Sequence, residues 1–240
     1  MPHKLFEAFI LLVKPLVTSL VSSLVTQLTG VVNSITKVFI NLESTANAHY
    51  SLNTPQTFAG DFEVEVDAFL PAAAPWSAVL ELNGASVNND RVTINSSKGI
   101  RLTLLGVNYN SANGVFPSDI LNTLKITRVS STVRIYINGA FAVSGSQSTD
   151  LTIDKAGVAN GSDFFGGILS NWRNTDLATP ANSTEFGLDN LTGNTEVNNG
   201  KTLTYQNIAT TVDVRDTYTL SDDETEWVGS LQTIDIAAQV

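Results

Sequence analysis

Residues 121–145 read LNTLKITRVSSTVRIYINGAFAVSG. Leu124 and Ile126 alternate with polar neighbours, Ser130-Ser131 interrupts, Val133, Ile135 and Ile137 alternate again, and Asn138-Gly139 interrupts before Ala140 to Val143. Alternation of apolar and polar residues marks a strand with one buried face. Asn-Gly supplies the left-handed backbone that a two-residue hairpin turn requires. The stretch therefore predicts successive antiparallel strands and puts the chain among mainly β folds.

The same grammar continues on both sides. Phe62, Val64 and Val66 alternate with Glu63, Glu65 and Asp67, which predicts a half-buried strand with one polar face. Ser77–Leu82, Arg91–Ile94 and Ile100–Asn108 repeat the pattern, with turns at Asn83-Gly84 and Lys98-Gly99. Beyond FFGGILSNWRNTD at 164–176, further strands are expected at Thr202–Ile208, Thr217–Leu220 and Ser230–Ala237, and an acidic turn, Asp222 to Glu226, precedes Trp227. Asn41 to Thr57 reads as a polar connection, marked by Asn47, Asn53 and Pro55. No repeat of fixed period appears, which argues against a solenoid or propeller.

The run 121–145 followed by 164–176 resembles the core of laminin-G-like and concanavalin-A-like jelly rolls. In those folds a strand ending in Arg pairs with one ending in an Asn-Gly or Asp-Gly turn, and a later Phe-x-Gly-x-Ile strand crosses the sheet. The resemblance covers about residues 58–190 and implies an antiparallel jelly-roll sandwich.

The N-terminal region follows another period. Val17, Val21, Leu24, Leu28, Val31, Ile35, Val38 and Leu42 succeed one another at alternating steps of four and three, the heptad of an α-helical coiled coil. Leu20, Val25, Val32 and Phe39 widen the apolar face, so a homotrimer is expected over a two-stranded coil. The opposite face carries Ser19, Ser22, Ser23, Thr26, Thr29, Asn33 and Thr36, where an exposed coiled coil usually shows Glu and Lys; partner protein is expected to enclose it. The reading divides the chain into an oligomerisation and anchoring helix at 1–50, a jelly roll at 51–190, and a β extension at 191–240, packed on the jelly roll or on a neighbouring subunit. Ala8 to Val32 is also long enough to span a bilayer, but Lys14, Ser22, Ser23, Thr26 and Gln27 recur along it. A signal peptide is not expected, because Lys14 and Pro15 interrupt the apolar run and no small-residue cleavage pattern follows.

Composition excludes several chemistries. The net charge of −10 repels phosphate backbones, so nucleic acid is not an expected partner. There is no cysteine, and the only histidines are His3 and His49, both outside the expected jelly roll, so a Ser-His-Asp triad or a His-rich zinc site has no material there. No metal or other cofactor is expected. Asn88 to Asp90, Asp163 and Asp222 to Glu226 are oxygen-rich loops without a calcium-loop spacing and read as turns.

Glu63, Glu65 and Asp67 put three carboxylates on one strand face, the raw material of a glycosidase. Jelly-roll glucanases carry an E-x-D-x-x-E pattern; here Ala68 and Phe69 follow Asp67, and a solvated strand face is the expectation. Trp76, after Pro-Ala-Ala-Ala-Pro, and Tyr109, between Asn108 and Asn110, are the rings expected to offer a glycan-binding surface, while Trp172 lies in a strand pattern and is expected in the core. A Ser/Thr/Asn-rich β head behind an N-terminal helix also resembles the virion appendages of tailed bacteriophages. That resemblance implies a non-enzymatic structural protein, a head fibre, capsid decoration or tail fibre subunit. It would be anchored to other virion proteins through its helix, assembled in the host cytoplasm and able to touch host or environmental glycans. A jelly-roll glucanase and a membrane-anchored adhesin are the alternatives.

Overall fold

A computed structural model describes residues 35–42, 47–83, 90–188, 195–207, 211–220, 227–228 and 232–235. The chain divides into two units, one of residues 38–213 with 233–240 and the other of residues 1–37 with 214–232. In chain order the strands of the larger unit are β1 (Ile35–Leu42, which begins in the other unit), β2 (His49–Phe58), β3 (Phe62–Phe69), β4 (Ser77–Leu82), β5 (Arg91–Ile94), β6 (Ile100–Leu104), β7 (Val107–Asn110), β8 (Leu121–Val129), β9 (Thr132–Ile137) and β10 (Ala140–Ser146). There follow β11 (Leu151–Ala156), β12 (Val158–Ala159), β13 (Asp163–Phe164), β14 (Gly167–Asp176), β15 (Thr184–Phe186), β16 (Thr195–Asn198) and β17 (Lys201–Gln206).

They build an antiparallel sandwich. One sheet runs β10-β9-β8-β3-β14-β1 with β15 beside β14; the other runs β16-β17-β2-β11-β4-β5-β6-β7. The hairpins form where the turn chemistry places them: Asn138 and Gly139 take φ of 50° and 80°, the left-handed pair of a tight turn joining β9 to β10. The strand expected at Ile100–Asn108 is two, because Leu105 and Gly106 also turn left-handed (φ 51° and 76°). Phe164–Asp176 supplies the central strand β14, paired to β3 by Ile168 opposite Phe69 and Asp176 opposite Phe62.

The core fills with the inward residues of both sheets. Phe58 and Phe62 stack at 4.5 Å, and Trp172 is fully buried, its Nε1 donating to Asn174 Oδ1 at 2.9 Å. Arg128 is 2% exposed, and its guanidinium donates to the carbonyls of Phe58, Gly60 and Thr149, which clamps the β2–β3 connection. Burial pulls its pKa down, with Asp150, Asp61 and Asp176 opposing.

Two expectations are corrected. Ile35, Val38 and Leu42 stand in strand β1 rather than in a helix; Asn41 and Leu42 pair with Ile168 and Gly167, and the Leu42 side chain is fully buried in the sandwich. The run ITKVFINL is rich in β-branched and aromatic residues, which favour strands over helices. Val17, Val21, Leu24, Leu28 and Val31 lie outside the described residues, as does Ala8–Val32. Second, the expected connection 41–57 contains β2, which joins β17 to β11 and buries Tyr50, Leu52, Gln56 and Phe58. Its polar residues, Asn53 to Pro55, sit at a register irregularity opposite β11. At the C-terminal side, 201–206 forms strand β17 beside β2 near the edge of the second sheet, with Tyr205 edge-on to Tyr50 at 5.1 Å. Among the described residues no helix is long and apolar enough to cross a membrane. In the smaller unit Thr219 and Leu220 pair antiparallel with Val228 and Trp227.

Candidate functional site

The outer face of the first sheet presents side chains in rows set by the strand register. Glu185, Arg173, Glu65, Lys125, Tyr136 and Phe141 lie directly across β15, β14, β3, β8, β9 and β10. Thr175, Glu63, Thr127, Arg134 and Ser144 form the next row. Arg173 bridges Glu65 at 3.1 Å and Glu185 at 3.0 Å, and Lys125 reaches across rows to Glu63 at 2.7 Å. Hydrogen bonding to Glu185 raises the Arg173 pKa, against burial. Solvated pairs of this kind hold each other weakly and exchange readily for a ligand's hydroxyls.

At the β9–β10 end an aromatic wall rises: Tyr136 and Phe141 meet edge to face at 6.1 Å, and Phe141 is 60% exposed. Between wall and charges lies an open depression of about 430 Å³ lined by Glu63, Glu65, Thr123, Lys125, Thr127, Tyr136 and Gly139. That volume lies within the range of small-molecule sites. Gly139 lies on its lip, open to solvent, where any side chain would meet no neighbour but would strain the turn. An aromatic ring beside paired carboxylates and cations offers what a pyranose binds: an apolar plane for its C–H face, and acceptors and donors for its hydroxyls.

The carboxylates of β3 are all engaged. Glu63 and Glu65 hold Lys125 and Arg173, and Asp67 accepts from Thr123 Oγ1 at 2.8 Å and Asn171 Nδ2 at 2.7 Å. Three acids at alternate positions thus organise a polar face.

The sequence-expected rings separate. Trp76 is 41% exposed, with the Arg101 guanidinium 4.4 Å above its ring and Arg101 Nε donating to Asn110 Oδ1 at 3.0 Å, a small platform on the solvent side of β6 and β7. Tyr109 pairs with Leu102 and turns inward, its ring over Gly145, where an added Cβ would come within 2.7 Å. It packs on the core between β7 and β10 and shares no surface with Trp76. Tyr136, Phe141, Lys125 and Arg173 escaped the sequence reading. Their outward phase along each strand was visible, but their common row comes from pairing strands distant in the chain.

The oxygen-rich loops are satisfied internally as far as they are described. Asp90 accepts from Asn83 Nδ2 at 2.8 Å and Asp163 from Arg91 at 2.6 Å, and no cluster of three or more metal-ligating side chains occurs among the described residues. Asp222 to Glu226 lies outside them.

The fold is an antiparallel sandwich of jelly-roll type. The chain is similar to a Bacteroides ovatus protein assigned to carbohydrate binding, with TM-score 0.54, 14% identity, and coverage of 76% of this chain and 60% of that one. It is also similar to domains LG4-5 of the mouse laminin alpha1 chain (TM-score 0.46, 12% identity, 65% and 43% covered) and to a heptameric pentraxin of Limulus polyphemus (0.45, 13%, 82% and 94%). At these identities the likeness is one of fold, and the chain spans less than two thirds of the first two proteins. The sequence matches no protein-family model and no curated protein.

Proposed function

We propose that the chain is a non-enzymatic glycan-binding subunit of a tailed-phage virion appendage. The observation that carries the binding reading is the Tyr136–Phe141 wall beside the Glu63, Glu65 and Lys125 groove, a sugar-sized depression with an apolar plane and paired hydrogen-bonding groups. Trp76 with Arg101 is a second, smaller contact on the other sheet. The engaged state of Glu63, Glu65 and Asp67 favours binding over glycoside cleavage, which needs one acid held protonated opposite a second carboxylate. The virion role rests on the heptad from Val17 to Val31 with its uncharged outer face, and on trimerisation to multiply a weak single site.

A glycan array followed by calorimetry tests the binding. A hit weakened about tenfold by Tyr136→Ala, worth about 1.4 kcal/mol, supports the reading; an unaffected hit moves the site elsewhere. Release of reducing ends from β-glucan would overturn the non-enzymatic part. A chain that sediments as a folded monomer at micromolar concentration would overturn the trimer.

A further inference from the structure

A second pocket, of about 350 Å³, opens where the β16–β17 turn and the 3-10 turn Pro180–Asn182 meet the irregular centre of β2. Its walls include Thr54, Pro55, Thr57, Ala181, Asn182 and Lys201. Asn198 and Lys201 pair across the left-handed turn Asn199-Gly200 (φ 48° and 73°), and the Asn199 side chain donates to the carbonyls of Ala181 and Ser183, so turn and 3-10 segment are held together.

Lys201 brings a cation to this pocket. Its Nζ donates to the Pro55 carbonyl at 3.0 Å and the Thr54 carbonyl at 3.4 Å, and among the described residues no carboxylate pairs with it. Acids outnumber bases in this chain, 23 to 13, and several cations pair with them, Arg91 with Asp163, Lys125 with Glu63, Lys155 with Glu81, and Arg173 with Glu65 and Glu185; Lys98 and Arg128, like Lys201, rest on carbonyls instead, and Lys201 lines this pocket. An ammonium has three donors, and two neutral carbonyls neither use them all nor neutralise the charge. Burial lowers the Lys201 pKa. Thr54, Thr57 and Asn182, also in the wall, carry the hydroxyl and amide groups that a ligand's hydroxyls would meet.

We propose that this pocket binds a carboxylate-bearing sugar, its carboxylate on Lys201 and its hydroxyls on the surrounding amide and hydroxyl groups. The carboxylate supplies the missing countercharge. The pocket exceeds what a lone anion fills, and Pro55 and Ala181 give it apolar wall for a ring. The site is separate from the Tyr136 groove and stands without it. Because binding requires the charged ammonium, affinity falls as pH rises through the lowered Lys201 pKa.

The test follows the 13Cε resonance of Lys201 during titration with glucuronate, its methyl ester and acetate. The expected result is a saturable shift with glucuronate, none with the ester, and at least tenfold weaker binding of acetate. Lys201→Met should abolish glucuronate binding and Lys201→Arg retain part of it. Equal responses to glucuronate and to either acetate or the ester, or no response of Lys201 to glucuronate, would overturn the proposal whatever becomes of the groove.

Discussion

Two acid–base clusters on the two sheets are built from the same residue types and end in opposite environments. On the first sheet, Glu65 and Arg173 meet at 3.1 Å with side chains 33% and 45% exposed. On the second, Glu81 and Lys155 meet at 2.6 Å with Glu81 only 1% exposed. The difference is a lid from the chain itself. The β12–β13 hairpin folds over β4, Gly157 N bonding to Val79 O and Asn160 N to Glu81 Oε2, so every residue of β4 is buried. The first face has no such cover among the described residues. One cluster is therefore part of the fold's interior, and the other is a surface free to exchange its partners with a ligand.

The largest effect should come from the covered cluster. Glu81→Ala leaves the Asn160 N–H without its acceptor and the Lys155 ammonium with Asp154 alone at 3.8 Å, and is expected to cost about 3 kcal/mol. Glu65→Ala on the open face should cost less than about 1 kcal/mol. Equal losses by urea denaturation would mean that the hairpin does not seal Glu81. Next in size, Tyr136→Ala should weaken glycan binding about tenfold while shifting stability little, the reverse of the Glu81 change.

A pH dependence sharpens the same contrast. Burial raises the Asp154 pKa above the ordinary 3.8, with Lys155 opposing and Glu81 reinforcing. The folded chain thus holds that proton more tightly than the unfolded chain, so stability falls as pH climbs from 3.8 through the higher folded value. Asp154→Asn should remove this decline, and denaturation at pH 4 and pH 7 with both proteins measures it. A decline of equal size in the variant would assign it to other groups. The smallest effect belongs to Trp76→Ala, which removes a solvated cation–π contact and is expected to cost about 0.5–1 kcal/mol in stability. A larger loss would show that the Arg101 platform buttresses β6 and β7.

Much of the sandwich was legible because half-buried strands write their burial into a period of two. β3, with its alternating burial, comes from that signal; β4 and β5 have the expected bounds although β4 is buried on both faces. β2 was not legible. Asn53, Thr54 and Pro55 read as a linker, and only pairing with β11 and β17 makes the segment a strand. The 35–42 segment carries heptad steps of three and four at Ile35, Val38 and Leu42, and a step of three does not fit a strand's period of two; its β-branched content with β14 as partner overrides that spacing. The binding groove was least legible, because an exposed aromatic on a single strand carries no mark of what lies across from it.

Local sequence thus determined the mainly β class, the Asn138-Gly139 turn, the polar face of β3 and the burial of Trp172. These depend on backbone conformation and side-chain periodicity, which near neighbours set. Tertiary structure alone decided that Glu65, Lys125, Tyr136 and Phe141 share a row, that Glu81 is covered while Glu65 is not, that Tyr109 turns inward, and that Lys201 faces the carbonyls of Thr54 and Pro55. Each is a contact between segments far apart in the chain, and only the order and register in which the strands pair can select it.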